Sequence, residues 1–433
     1  MRGPLRRPAF RRLAISYAVN EMGDWLGIVA LSVLVFEHTD SAMATALLFL
    51  GTGVLPALLT PFLVARMERP PPRFALPTLY AGEAAAFGAL ALLAGHFSLA
   101  AIVAVAMIDG ALALTARTLT RAVSAAMLEP EGELRAGNSV LNFAFTGGAA
   151  VGPPIGGAVV AALGVQTALL LDAISFYAIG WILFTAGRLP QLEPEPGQLR
   201  EQVRAGLSYI RRHVTLRRLL AGQAAAFVFF SAVVPVEVIY AKQTLGGGNT
   251  GYGLLLGSWG SGMFVGSIVF AALRRASLPL LLFFSTLTIG AGYLGMAAAQ
   301  TLAIACAASF VGGIGNGVQW VSVMSAVQEL TAQKMQARVI GALEAIGAAM
   351  PGVGFVVGGL IATVYGPRAT FLVAGLGVLA IVAITAPLVG RQWSGGSIKR
   401  RATIDTTNEI VVELYAMGFA SSRGRDLAAD PER

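Results

Sequence analysis

Seven carboxylates stand inside apolar runs of this sequence: Glu21, Asp24, Glu83, Asp109, Asp172, Glu237 and Glu344. An acid at the centre of a membrane helix costs roughly 2.5–3.5 kcal/mol on insertion, so each must face a cavity, find a partner or hold a proton. Glu21 and Asp24 are the leading pair. Three residues apart on one helix they share a face, with Asn20 four residues before Asp24. Two carboxylates confined together resist double ionisation, which is the property a proton carrier needs. The competing structural reading has Asp24 hydrogen-bonding a neighbouring helix while Glu21 reaches the membrane interface. Asp109, midway along a later run, is the next candidate for proton transfer. Glu237, near the end of its run beside Pro235, suits a gate or a cation-attracting vestibule. Asp172 and Glu344 lie near run ends, where structural roles account for them; Arg338 is the nearest partner in sequence for Glu344.

Other chemistries lack their residues. No Gly-rich loop carries the Lys and Ser/Thr that cradle a phosphate, and His38, His96 and His213 lie in or beside loops. Cys306 is the single cysteine and sits in an apolar run, so neither a disulfide framework nor a cysteine metal cluster is expected. With no nucleophile beside a base, the sequence reads as a non-enzyme with no metal and no cofactor.

The elements that position these acids follow from composition. Of 433 residues, 56% are hydrophobic and 12% charged, about half the charge of a soluble domain. Apolar runs of roughly 20 residues recur from end to end, each long enough to cross a ~30 Å hydrocarbon core as a helix. Twelve spans are expected, near residues 13–36, 41–65, 74–95, 98–121, 137–162, 166–187, 218–241, 250–273, 278–298, 301–327, 338–364 and 367–389. The net charge of +8 forms no single patch that would suit nucleic acid. Assigning the 31 Lys and Arg to alternate loops leaves only Lys242 and Arg368 on one side. By the positive-inside rule both termini are then cytoplasmic. The Arg-rich start leads into a run too long for a signal h-region, so it reads as a first span and not a leader.

The longest internal break, Gly187 to Arg218, begins RLPQLEPEPGQ and continues LREQVRAGLSYIRRHVTLRRLL. The second part gathers Leu199, Val203, Leu207 and Ile210 on one helical face, as a cytoplasmic helix at headgroup level would. Four units result: a six-helix half over 1–187, a linker over 188–217, a second six-helix half over 218–390 and a cytoplasmic tail over 391–433. A repeat supports the division. GPPIGGAVVAALG near 152 recurs as GFVVGGLIATVYG near 354, and Gly152, Gly156, Gly157 and Gly164 fall on Gly354, Gly358, Gly359 and Gly366 at a constant offset of 202 residues. Facing halves of this kind enclose a midplane site and rock about it. The tail starts with Lys399, Arg400 and Arg401, placed to meet anionic headgroups, and carries a short amphipathic stretch from Asn408 to Met417.

Glycine supplies a further signal. In GGAAVGPPIGG, residues 147–157, Gly148, Gly152 and Gly156 recur every fourth residue and make a smooth strip against which another helix can pack closely. Pro153 and Pro154 remove backbone donors and bend the helix. In the tenth span, GGIGNGVQW sets Asn316, Gln319 and Trp320 at membrane depth, where ordinary packing and substrate contact are both open.

These residues resemble the major facilitator superfamily, and within it the drug:proton antiporter branch that holds macrolide-efflux-like and enterobactin-exporter-like proteins. The likeness covers about residues 10–390. GGAAVGPPIGG matches the antiporter motif of the fifth helix, with Gly148, Gly152, Pro153, Gly156 and Gly157 in place. EMGDWLGIVALSVLVFEHTDSA, LRAGNSVLN and LLLDAISF add to it. Two departures stand out. In PFLVARMERPPPR the loop after the second span has Pro61 for the usual Gly and Ala65 for the usual Asp, keeping Arg66, with Glu68 as a substitute acid. In the fourth span, Ala106 stands where an Arg four residues before Gly110 is usual.

The resemblance implies an all-α membrane protein of twelve transmembrane helices in two pseudo-symmetric halves. It also implies a secondary exporter that moves hydrophobic or amphipathic small molecules out of the cell in exchange for protons by alternating access. Substrate would lie between the halves against Phe229, Phe230, Glu237, Tyr240, Asn316, Gln319 and Trp320. Asp24, Glu21 and Asp109 would couple protons, and the Gly148–Gly157 strip with Arg66 would govern conformation. The implied setting is a bacterial cytoplasmic membrane, as a monomer, with the lipid bilayer, protons and a small-molecule substrate as partners. A dedicated exporter of an endogenous siderophore or lipid, and a transport-inactive membrane partner protein, are the alternatives.

Overall fold

A chain crossing hydrocarbon must satisfy its backbone internally, so apolar runs of this length become helices. The computed structural model describes residues 2–185, 189–191, 199–273, 276–332 and 335–384, helical throughout except for turns. Eleven of its helices are long and apolar enough to cross a membrane. They begin with α1 (Pro8–Thr39), α2 (Ala42–Met67), α3 (Pro72–Gly95) and α4 (Leu99–Leu128). The next, Leu134–Phe184, has 51 residues, about twice what one crossing needs. It breaks at Gly164 (φ 80°, ψ 164°) into α5 (134–163) and α6 (165–184), which brings the crossings to twelve. The second half holds α7 (Val214–Thr244), α8 (Gly248–Ala272), α9 (Leu278–Ala298), α10 (Leu302–Leu330), α11 (Gln336–Tyr365) and α12 (Pro367–Ile384). The expected spans are all present, with α1, α4 and α7 longer than expected by six to eight residues. The tail over 391–433, with its basic start and the 408–417 stretch, lies outside the described residues.

The 202-residue repeat is written into the backbone. Gly366, between α11 and α12, has φ 82° and ψ 167°, nearly the conformation of Gly164 between α5 and α6 and one open only to glycine. The other repeated glycines also take equivalent places. Gly152 and Gly156 face Trp25 and Leu26 of α1 in their own half, and Gly354 and Gly358 face Ser231 and Ala232 of α7 in theirs. Gly157 meets Gly253 of α8 across the halves, and Gly359 meets Met43 and Ala46 of α2 across the halves.

The halves meet toward the side away from the N-terminus. There Lys242 pairs with Glu37 at 2.5 Å, Gln243 donates to Asp40 at 2.7 Å, and Phe49 and Phe355 pack at 5.5 Å. Toward the terminus side, the second part of α2 (Leu55–Met67) and the first part of α7 (Val214–Val233) pack chiefly within their own halves. Across the halves on this side, Phe143 of α5 packs on Phe264 of α8 at 5.6 Å.

The linker helix, Leu199–Arg212, forms as the sequence pattern requires. Of the residues on its apolar face, Leu207 is exposed while Ile210 packs on the second half. Ile210 is buried with Leu216, Val339 and Leu343, Gly206 abuts Arg338, and the Tyr209 hydroxyl accepts from the Ala332 amide at 3.1 Å. The ends of α7 and α11 thus cover the last turn of the linker helix. The side chains of Leu199 and Val203 lie outside the described residues.

Within the second half, α8 and α10 pack backbone on backbone: a Cβ on Gly313 would fall 2.2 Å from the Trp259 carbonyl oxygen, whereas one on Gly88 of α3 meets open space. Gly313→Ala should lower the thermal midpoint of the purified protein through an overpacking cost of about 1–3 kcal/mol. Gly88→Ala should hold or raise it, since alanine gains up to about 1 kcal/mol in helix propensity. Equal behaviour of the two variants would refute the packing reading.

Candidate functional site

Glu21 and Asp24 lie near the middle of α1 and point toward α4. Arg117 reaches both: its Nη2 donates to Asp24 Oδ2 at 2.9 Å and to Glu21 Oε2 at 3.3 Å, and its Nε lies 3.1 Å from Glu21 Oε1. Asn20 Nδ2 donates to the same Asp24 oxygen at 3.1 Å. The side chain of Glu21 is 1% exposed and that of Asp24 17%, against 29% for Arg117, so the acids are the shielded members. The Arg117 guanidinium also sits 5.7 Å from the Phe145 ring centroid of α5, within cation–π range.

Arg117 is the residue that sequence reasoning missed. Assigning basic residues to loops placed it outside the membrane, yet α4 runs on to Leu128 and carries it eleven residues inside that end. The signal was available. Two acids sharing a helix face in hydrocarbon call for a cation, and Arg117 and Arg121 are the basic residues within the fourth apolar run. Arg121 instead donates to the Tyr17 hydroxyl at 3.1 Å.

The glycine strip of α5 is what lets α1 sit here. A Cβ on Gly148 would lie 3.0 Å from Glu21 Cβ, one on Gly152 2.7 Å from Trp25 Cβ, and one on Gly156 3.3 Å from Leu26 Cα. The strip thus follows α1 along the stretch that holds the acids. Pro153 and Gly157 turn to α8, where the Pro153 carbonyl and the Gly157 backbone crowd Gly253.

Asp109 is buried on α4, with Oδ1 lacking a hydrogen-bond partner. It lies within electrostatic reach of Glu83 and Asp172. Glu83 is fully buried on α3 with both oxygens unpartnered. Asp172 packs into the space left by Gly23 and Gly27 of α1 and accepts from Ser175 Oγ at 3.2 Å. The first half thus holds five of the seven acids.

The expected substrate residues are dispersed. Phe230 joins a column of rings through the second half, with Trp259 at 5.8 Å, then Tyr293, Phe371 and Tyr240. Tyr240 is fully enclosed there and donates to the Met296 carbonyl. Phe229 fills the space over Gly377, and Glu237 is buried near the far end of α7. Trp320 is partly exposed and contacts the Phe227 ring at 6.4 Å, with Asn316 half-buried one turn before it. Gln319 is buried and donates to Thr286 Oγ1 at 3.2 Å. Arg66 is exposed at the end of α2 and forms no ion pair with any described residue, so the Glu68 substitution does not restore the usual latch in this conformation. Glu344 makes no ion pair with Arg338; its electrostatic neighbour is Arg121 of the first half.

Comparison with known proteins places this geometry. The family model described as "Transmembrane secretion effector" matches residues 2–404. An uncharacterised MFS-type transporter, YfiS of Bacillus subtilis (strain 168), is 24% identical over 413 residues, covering 90% of this chain and 96% of that protein. Among solved structures, a bacterial homologue of the human lysosomal transporter Spinster, in an inward-facing and occupied conformation, superposes with TM-score 0.71 at 12% identity. It covers 90% of this chain and 97% of its own. A POT family transporter in complex with 5-aminolevulinic acid gives TM-score 0.71 at 12% identity, covering 88% and 96%.

If Arg117 is the counter-charge of the two acids, its removal should be costly alone and mild in combination. Arg117→Met should destabilise the purified protein toward the lower end of the roughly 3–5 kcal/mol seen for broken buried pairs. Adding Glu21→Gln and Asp24→Asn should recover most of the loss in thermal unfolding. A triple variant no more stable than Arg117→Met would show that the three do not act as one unit.

Proposed function

The chain belongs to the transmembrane secretion effector family and is a membrane transporter of the major facilitator type; from that membership we propose that it exports hydrophobic or amphipathic small molecules in exchange for protons. The observation that carries the proton part is the triad of Arg117, Glu21 and Asp24 inside the membrane. One cation against two carboxylates leaves a net charge of −1, and a single proton brings the group to neutrality. A site that one proton switches between charged and neutral, on a helix that also contacts the opposite half through Glu37 and Asp40, has what coupling needs. Asp109 is the second proton acceptor in this reading.

The export part rests on the family's description and on the α5 glycine strip. The terminus side, rich in Arg, is taken as the cytoplasm of a bacterium, from which substrate would be loaded. Drugs such as macrolides or tetracyclines are the proposed class, taken up between the halves near Trp320 and Asn316. The driving force suffices. One charge moved through ~100 mV yields about 2.3 kcal/mol, which sustains a gradient of roughly fortyfold.

The test is proton movement in inside-out vesicles on addition of macrolides, tetracyclines, lipophilic cations and siderophores, with Asp24→Asn alongside. Substrate-triggered proton efflux from the vesicles is expected, absent in the variant. A folded protein that answers only a siderophore would move the reading to a dedicated exporter, and one that answers nothing to a transport-inactive partner.

A further inference from the structure

A cleft of about 80 Å³ enters the second half from the terminus side between α7, α9, α10 and α12. It is well above the roughly 10–15 Å³ that one water needs. Arg218 stands near its mouth, and Gln223, Thr286 and Gln319 stand deeper. Leu219, Phe283 and Val323 contribute apolar wall. Among the described residues Arg218 has no ion-pair partner, and no acid lines the cleft.

Gln223 is the decisive residue. It is 7% exposed, and its amide, which makes no hydrogen bond with a described residue, opens onto the cleft. Gln319, beside it, spends one donor on Thr286. An amide that opens into a cleft between apolar walls offers a donor and an acceptor to a bound polar group. Gln223 lies five residues beyond Arg218 on α7, roughly 7 Å deeper. Cation, then apolar wall, then an amide facing the cleft is the imprint of a molecule with the complementary order.

We propose that this cleft binds an amphipathic organic anion. Its carboxylate or phosphate sits on Arg218, its apolar body lies along Leu219 and Phe283, and a carbonyl or hydroxyl about one and a half helical turns away meets Gln223. Two sources share that chemistry: an anionic glycerolipid of the adjoining leaflet, whose ester carbonyls lie below its phosphate, and a free acyl carboxylate. Because every wall belongs to the second half, rocking of the halves leaves the cleft whole. The ligand is therefore held in both states and is not cargo, and the site stands whether or not proton antiport does.

The experiment is thermal unfolding of the full-length purified protein in phosphatidylcholine nanodiscs. One arm titrates phosphatidylglycerol into the lipid, a second adds decanoate, and decyltrimethylammonium serves as the cationic control. Arg218→Gln and Gln223→Leu test the site, and Arg217→Gln, at an exposed neighbour, controls for general surface charge. Saturable stabilisation by at least one anion is expected, with apparent affinity falling about tenfold or more in Arg218→Gln, falling less in Gln223→Leu and holding in Arg217→Gln. Response to phosphatidylglycerol alone identifies the lipid, and response to decanoate the free acyl anion. No saturable response to either anion, equal stabilisation by the alkyl cation, or equal loss in Arg217→Gln and Arg218→Gln would overturn the proposal.

Discussion

A charge carried into hydrocarbon has to be balanced where it stands, and the first half of this protein is arranged around that requirement. Glu21 and Asp24 are held by one guanidinium from α4. Fixing that geometry needs α1 at a set distance from both α4 and α5. Gly148, Gly152 and Gly156 of α5 set the second distance, since each faces the backbone or Cβ of an α1 residue in the stretch from Glu21 to Val29. Phe145, on α5, closes over Arg117. A strip that reads as a packing motif is thus also the support of the charged site. Asp172 uses the same device from the other side, occupying the space that Gly23 and Gly27 leave open on α1.

The two halves share a backbone plan but not a chemistry. Gly164 and Gly366 repeat one glycine-only conformation, and Gly157 and Gly359 repeat one cross-half contact. The equivalence stops at the ionisable groups. The first half encloses acids and an arginine, while the second packs a column of aromatic rings and sets amides along a cleft. Duplication explains the first observation. The second indicates that charge handling is concentrated in one half, with the other free to supply apolar surface.

How much of this was legible in the sequence depends on the range of the interaction that decides it. Spans, the break between halves and the 202-residue repeat are local or periodic, and they were readable. The acids were readable as a problem, because any carboxylate in a 20-residue apolar run demands an explanation. Their solution was not, because Arg117 is 93 residues from Asp24, and a lone arginine toward the end of a span looks like a loop marker. The linker helix shows the same limit: its pattern specified an apolar face, but not that Ile210 packs on the ends of α7 and α11 while Leu207 stays exposed. The Arg218 cleft is lined from four helices far apart in sequence, so no single segment carries its signature.

The missing arginine of the fourth helix is explained by following the helix itself. Ala106 holds the position four residues before Gly110, where the resemblance to proton antiporters implies an Arg. Arg117 lies eleven residues further on, and eleven residues at 3.6 per turn complete three turns to within about 20°. The two positions therefore share a face, and the cation stands on the same face of α4, displaced roughly 16 Å toward the termini. At Ala106 a long side chain would have to enter a fully buried position, next to where Gly110 abuts the Thr52 carbonyl of α2. At Arg117 it keeps 29% exposure and meets the acids that α1 presents at that depth. Acids and cation are thus matched in depth, and the departure from the pattern is one of position and not of charge.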